Sequence, residues 1–452
     1  MEAQTKLTDK YYRLYKDNVS RIKSSSFPLF NSIREESINR FASVGIPTKK
    51  DEAYRYTDLA TFFDYDYKNL FIPGPDDFAK AEKFSCSIKD LDSYGIILFN
   101  GFFPPVNNNL NELPGDVWLG SLTEAAKKFP SLIEEHFGKY VRIENDGLIS
   151  LNSAMAFDGV FVYVPDGTNL NKPIQLINFV DSEADIFNQN RNLIIAGKNS
   201  SFSLIICDHA LSSGHLLTNS ITEVYVDENA RFDIIRVQNE HNNAYKIINT
   251  FICQQRNSVV YSNNITLHGG LVRNSTSSYL NGERAECNFH GLHLSDKNQH
   301  VDNYVSVEHL SPNCTSNQLF KGVLDEKATG AFTGRVYVSK GAQGTSAYQK
   351  TSSIILTPDA RMNARPQLEI FANDIKCSHG ATVGQLDENA MFYMQSRGIS
   401  RNEARRMLMF AFADEVIKGI PAKPLRKRMD ELVMQRLRGE LTRCALCMIK
   451  CS

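Results

Sequence analysis

The chain changes its hydrophobic rhythm twice. Over roughly residues 1–85 the apolar positions recur at helical spacing, with Leu7, Tyr11, Leu14, Tyr15, Val19 and Ile22 on one stripe. Pro28 can open a second helix, placing Ile33, Ile38 and Phe41 on one side and Gly45 just beyond its end. Phe71–Asp77, with two prolines and a glycine, reads as a linker. From 86 to 385 the pattern is that of strands. The runs GIILFNG, GVFVYVPDG, RNLIIAG, FSLIICD, ITEVYVDEN and RFDIIRV alternate with Gly, Asn and Asp turns, with almost no helical pattern between them. A turn, a small residue and a strand recur at Asn169, Asn199, Asn229 and Asn257, which are 30, 30 and 28 residues apart. Ala285 follows Ser258 by 27, and DEKATGAFTG resembles a further unit after a longer gap. That period fits a β-helix, and a large sandwich with evenly spaced turns fits it too.

The last part, 386–452, turns helical again. Asp387 can cap a short helix that ends before Gly398, and Ser400 with Glu403 forms a capping box. Ala404, Met407, Leu408, Ala411, Phe412 and Val416 predict one buried stripe, closed by Gly419 and Pro421. A third helix near Pro424 turns Leu425, Met429, Leu432, Val433 and Leu437 inward. Such helices are expected to cover the open end of a β-helix, whose unpaired strand edge otherwise templates aggregation. From Arg401 onward 12 Lys/Arg stand against 6 Asp/Glu, which reads as a solvated face or as a docking surface for an acidic partner.

Composition narrows the function classes. With 42% hydrophobic and 22% charged residues, a 452-residue chain has ample material for a core and is not intrinsically disordered. Fifty Lys+Arg against 51 Asp+Glu leave a net charge of −1, so no global field attracts nucleic acid or an anionic membrane. No apolar run approaches the roughly 18 residues of a membrane helix, and the polar N-terminus lacks an apolar signal core. A cytoplasmic protein is expected, with its nine cysteines mostly free thiols.

Four groups of residues could carry chemistry. Cys377 and His379, in KCSHGATVG, are two apart and share one side of a strand. Thiolate and imidazole together can bind iron or zinc, or act as a nucleophile–base pair; a buried cysteine and a hydrogen-bonded histidine explain the pair as well. His290, His293, His300 and His309, with Cys287 and Cys314, suggest zinc, but their spacing matches no standard ligand pattern and a structural role is expected. Cys444, Cys447 and Cys451 resemble half of a metal or cluster site. Asp302 and Asp325 could serve a carbohydrate-active β-helix enzyme. The chain carries no G-x-x-x-x-G-K-[ST] loop, no G-x-G-x-x-G opening a helix and no G-x-S-x-G elbow, so it shows no means of hydrolysing ATP by itself.

Several segments together resemble the SufB/SufD family of iron–sulfur cluster assembly proteins. The most specific is ARPQLEIFANDIKCSHGATVG, Ala364–Gly384, followed by LDENAMFYMQSRGISRNEARRMLMFAFADEVI. PTKKDEAYRYTDL, Pro47–Leu59, resembles the family's N-terminal motif, with Tyr54 where a tryptophan is usual. CSHGATVG is the form of that segment found on the SufD side of the family. The resemblance implies a right-handed parallel β-helix between helical terminal regions: 1–85 helical, 86–385 β-helix, 386–452 helical and docking SufC. It implies a non-catalytic scaffold that pairs its β-helix with that of SufB, in a complex whose ATPase is SufC. His379, with Cys377 as neighbour, would then handle iron or a nascent iron–sulfur cluster at the SufB interface. A reduced flavin would be a property of the whole complex. The tail cysteines are not part of the family pattern. A homodimer, pairing β-helix edges or storing metal through its cysteines, is the other oligomeric reading.

Overall fold

The computed structural model describes residues 2–67, 69–70, 88–103, 113–141, 146–182, 184–212 and 214–440. Two sheets face each other across one interior. The first runs β3 (Trp118–Ser121), β4 (Val160–Val164), β6 (Ile186–Ala196), β8 (Leu216–Val226), β10 (Ala244–Gln254), β12 (Leu271–Leu280), β14 (His300–His309), β16 (Thr329–Val338) and β18 (Arg361–Ile370). The second runs β2 (Tyr94–Phe99), β5 (Ile174–Val180), β7 (Ser201–Ala210), β9 (Arg231–Asn239), β11 (Val259–His268), β13 (Glu286–Ser295), β15 (Thr315–Leu324), β17 (Thr345–Ile355) and β19 (Ile375–Gly384). A two-residue β1 (Asn69–Leu70) adds to β6. Because the chain alternates between the sheets and each strand pairs in parallel with the next but one, it winds as a parallel β-helix of about eight turns. The interior is a single apolar column running from Ile96 and Val162 through Phe202, Phe232, Val260 and Phe289 to Phe320 and Phe332.

The period of the sequence is the period of one corner. Asn199, Asn229, Asn257, Arg284 and Asn313 all stand in the left-handed region, at φ between 55° and 60°, where the chain leaves the first sheet for the second. Asparagine is among the few non-glycine residues that tolerate this conformation. The side chains then stack: Asn229 Nδ2 donates to Asn199 Oδ1 (3.0 Å), Asn257 Nδ2 to Asn229 Oδ1 (2.8 Å) and Arg284 Nε to Asn257 Oδ1 (2.8 Å). The earlier member of the column is Gly167 (φ 68°), not Asn169; the Gly167 N–H donates to Lys198 O as the Asn199 N–H donates to Glu228 O. Asn169 instead forms a parallel bridge to Ser201. DEKATG belongs to the opposite corner, where Lys297 and Glu326 form their own left-handed pair. This is why its spacing broke the series.

Helices cover both outer faces. Helices α1 (Glu2–Ser24), α2 (Pro28–Val44) and α3 (Ala60–Phe63) lie on the first sheet. Leu7, Tyr11, Tyr15, Ile22, Ile38 and Phe41 are buried there against Phe187, Leu217, Tyr245 and Leu271. Pro28 opens α2 and Gly45 ends it as expected, with its N–H on Phe41 O at 2.7 Å. The linker at 71–77 lies outside the described residues. Three helices that the strand pattern did not announce fall inside 86–385: α4 (Leu122–Lys128), α5 (Pro130–His136) and α6 (Gly147–Met155). All nine residues of α6 are buried, so no polar face marks it as a helix.

At the other end, α7 (Glu388–Ser396), α8 (Arg401–Ile417) and α9 (Lys423–Arg438) follow the β-helix. Asp387 and Ser400 cap α7 and α8 as expected, but Glu403 holds Arg406 rather than completing a capping box. The buried stripe of α8 is Ala404, Met409, Ala413, Val416 and Ile417; Met407 and Ala411 turn outward. These helices pack on the outer face of the second sheet, against Ile235, Tyr261, Leu292 and Val323. They do not cover the end of the β-helix as expected, because their apolar stripe finds its match on the flank.

The corner ladder is testable. Asn229→Gly keeps the backbone and deletes two ladder bonds, with an expected loss of about 0.5–1.5 kcal/mol. Asn229→Val adds a β-branched residue at positive φ and should lose roughly a further 1–2 kcal/mol. Urea unfolding of the two variants reads the difference; equal losses would mean that the backbone conformation there carries no cost.

Candidate functional site: the open end of the β-helix

The two ends of the β-helix differ. At the start, β3 pairs antiparallel with β4 and ends the first sheet, and β2, paired with β5, ends the second. At the finish, among the described residues, β18 pairs only with β16 and β19 only with β17. Strands in the middle are buried on both faces, β5 at all seven positions, whereas β19 has no fully buried position. Every large hydrophobic that stands exposed among the described residues, save Val44, lies from Tyr348 onward: Tyr348, Phe371, Val383, Phe392, Tyr393 and Met407. Exposed apolar side chains on and beside an unpaired strand edge, here Tyr348, Phe371 and Val383, mark an interaction surface.

Cys377 and His379 sit on that last strand. Register places Cys377 beside Ala347 and His379 beside Gln349. Cys377 packs, half-buried, into the cluster of Val336, Val338, Ala342 and Ala347, so its side of the strand is the interior side. Alternation puts His379 on the same side, at the rim of the interior and exposed. Burial pushes the Cys377 thiol up, which keeps its proton on at neutral pH.

The N-terminal motif has an architectural job. Arg273 on β12 lies 4.1 Å over the Tyr54 ring, donates to Ala53 O at 2.7 Å and pairs with Asp302. Thr57 Oγ1 donates to Asp302 Oδ2 at 2.5 Å and meets His300 Nε2 at 2.9 Å. Tyr54 OH donates to Asp146 Oδ2 at 2.6 Å, and Asp146 caps α6. Tyr54 thus gives the half-buried Asp146 carboxylate a hydrogen-bond donor. Glu52 reaches Arg365 on β18 at 2.7 Å, so the motif clamps the first sheet out to its open edge.

The other candidates are not brought together. Asp302 is buried under the N-terminal motif, while Asp325 pairs with Arg405 at 3.3 Å at a corner. His290 abuts Tyr261 under the C-terminal helices, His293 lies inside over Gly322, His300 holds Thr57 and Thr329, and His309 bonds Ser316 at 2.8 Å. Cys287 and Cys314 are buried in the interior column. Among the described residues no three His, Cys, Asp or Glu are placed to hold a metal ion. Cys444, Cys447 and Cys451 lie outside the described residues. Many of the basic residues after Arg401 are paired, among them Arg405 with Asp325, Arg406 with Glu403 and Arg436 with Asp296. That favours the solvated-face reading over an acidic-partner surface.

One feature inside the β-helix went unread. Asp208 holds Lys246 at 3.0 Å and Arg236 at 2.8 Å, and Lys246 holds Glu240 at 3.0 Å. Asp208, Arg236 and Lys246 border a cavity of about 40 Å³, also lined by Asn178, Asn190 and Thr218. Burial alone would raise the Asp208 carboxyl, but Lys246 and Arg236 reverse it and hold it well below the usual range. Burial raises Glu240. The isolated charges in FSLIICDHA and NAYKII were the available signal.

The buried histidines predict a pH dependence. Burial depresses His209, His290, His293 and His309 to about 4. Unfolded, they titrate near 6.5. The unfolded chain therefore binds more protons between the two values, and stability should fall as pH drops from about 6.5 to 4. Unfolding at pH 5 should take up about one proton per such histidine, and His309→Asn should remove one. Stability that is flat from pH 7 to 4.5 would contradict the buried neutral state.

Comparison with known proteins spans most of the chain. Residues 5–176 match the family model described as SufBD protein N-terminal region, and residues 179–412 match that of the SUF system FeS cluster assembly SufBD core domain. An iron–sulfur cluster assembly SufBD family protein of Synechocystis sp. is 30% identical over 412 residues, covering 89% of this chain and 90% of its own length. The iron–sulfur cluster assembly protein SufD of Escherichia coli is 24% identical over 90% of this chain and 92% of its own. The SufB of Bacillus subtilis is 25% identical over 70% of this chain and 68% of its own.

Proposed function

Because the chain belongs to the SufB/SufD family of iron–sulfur cluster assembly proteins, we propose that it is the SufD-type scaffold of a cluster-building complex. In this reading it pairs its β-helix end to end with a SufB-type β-helix and carries a SufC-type ATPase on its C-terminal helices. The observation that carries the proposal is the uncovered edge of β18 and β19, with His379 at its rim. A parallel edge offers a row of unpaired N–H and C=O groups. A partner whose last coil has the same width satisfies them and covers Phe371 and Val383 together.

The chemistry assigned to this chain is modest. His379 offers a ring nitrogen to iron of the nascent cluster, which is cargo and not a resident cofactor. Cys377 is the weaker ligand, since its half-buried thiol must give up a proton to bind metal. ATP hydrolysis is assigned to the SufC-type subunit, which matches the lack of a phosphate-binding loop in this sequence. Phe392, Tyr393 and Met407 are the exposed side chains that a subunit docked on the C-terminal helices would cover. A reduced flavin, where one takes part, belongs in this reading to the whole complex.

Anaerobic co-purification of the tagged chain with co-expressed SufB and SufC tests the assembly. The expected product is one copy of this chain, one SufB and two SufC, with bound iron. Val383→Asp, at the rim, should strip SufB from the preparation. His379→Ala should leave the complex intact and lower cluster-bound iron. Full iron in an intact His379→Ala complex would remove the site, and a chain that never retains SufB would remove the pairing.

A further inference from the structure

We propose that Gln349 is the positioning residue of His379. Its carboxamide, one coil in from the open end, leaves its oxygen unpaired in this structure and is placed to accept a ring N–H of His379, which would set the ring nitrogen that faces an incoming iron. The inference rests on the role of His379 proposed above.

Gln349 and His379 are register partners on β17 and β19. Neighbouring strands lie about 4.8 Å apart, within a glutamine's reach of an imidazole. Both side chains point to the interior, two positions along from the packed pair Ala347 and Cys377. Their surroundings differ sharply: Gln349 is 3% exposed, whereas His379 stands at the rim in solvent.

The glutamine is held from behind. Its Nε2 donates to Gln318 Oε1 at 3.3 Å, and Gln318 is the next residue inward in the same column. On the facing strand Gly334 contributes no side chain; a Cβ there would stand 3.0 Å from Gln349 Nε2. The carboxamide thus lies close against the facing backbone, with its nitrogen directed inward. Its Oε1 is buried and has no partner. A buried carbonyl oxygen left unpaired is costly, and only β19 lies beyond β17 in this sheet. The group of β19 in register with it that can donate from a side chain is the His379 imidazole.

The consequence is chemical. A solvent-exposed imidazole rotates and exchanges tautomers freely. One whose N–H is held by a carbonyl presents the lone pair of its other nitrogen in a fixed direction, as metal-binding histidines require. Gln349 itself touches neither iron nor sulfide.

Two readouts test this on the full chain. In protein carrying ¹⁵N-ring-labelled histidine, the His379 signals are those lost in His379→Ala. At pH 8 the wild-type ring should show one dominant tautomer. Gln349→Leu should move it to a mixture, and Gln349→Glu, which keeps an acceptor, should restore it. In the co-expressed complex, Gln349→Leu should lower cluster-bound iron about tenfold at unchanged subunit stoichiometry, and Gln349→Glu should recover most of it. Unfolding midpoints of both variants accompany the spectra, and the ring signals report the contact in any variant that stays folded. A His379 tautomer indifferent to Gln349→Leu, alongside an iron-deficient His379→Ala, overturns the role of Gln349 and leaves that of His379 standing. Full iron in His379→Ala overturns both.

Discussion

A strand in a parallel sheet needs a neighbour on each side, and that requirement governs this molecule. Each coil meets it by lying on the coil before and offering itself to the coil after. Such a stack has no natural end. At its start the first sheet ends in a reversal, β3 running antiparallel against β4 with α4, α5 and α6 packed close by, and the second ends at β2. At its finish nothing within the described residues meets it. The exposure of His379 and the half-burial of Cys377 both follow from that one unmet requirement.

The helices answer a different demand. Strands such as β6 and β8 are apolar or polar-buried on both faces, so each sheet needs a cover outside as well as a core within. The N-terminal helices cover the first sheet and the C-terminal helices the second. Between cover and sheet lie charges that cannot reach water. Arg191 and Glu223, both fully buried, pair at 2.7 Å, and Arg273 with Asp302 sits under the N-terminal motif. Removing one partner of such a pair strands the other, typically at a cost of about 3–5 kcal/mol. The motif that marks the family in its N-terminal half is therefore a fastening: Glu52, Tyr54 and Thr57 tie a loop across the strands from β12 to β18.

What could be read in advance tracks how locally each feature is encoded. Caps and helix stripes depend on a few neighbouring residues, so α2, α7 and α9 were legible almost to their ends. The repeat was legible because asparagine answers a purely local need, a left-handed corner. It was misassigned at Asn169 because glycine answers the same need two residues earlier, at Gly167. Helix α6 was hidden because burial on every side erases periodicity. Met407 and Ala411 were turned the wrong way because α8 is apolar over most of its surface, and only the sheet chooses its inner face. Cys377 and His379 were placed on one face by strand alternation, but their exposure depends on the chain ending its coils there. The Asp208–Lys246 cluster escaped notice because its members are 38 residues apart and meet only across the interior.

The unfinished edge also has a consequence for supply. An edge that accepts a partner's strands by backbone hydrogen bonding discriminates weakly by sequence, since every chain carries the same N–H and C=O groups. Two copies of this chain present each other with edges of equal width and equally bare aromatics. In the proposed assembly, copies made in excess of a SufB-type partner would have somewhere to go, and each pair so formed would withdraw two subunits. On that proposal the usable amount of this protein would be set by the ratio in which the two kinds of chain are synthesised, more than by how much of this one is made.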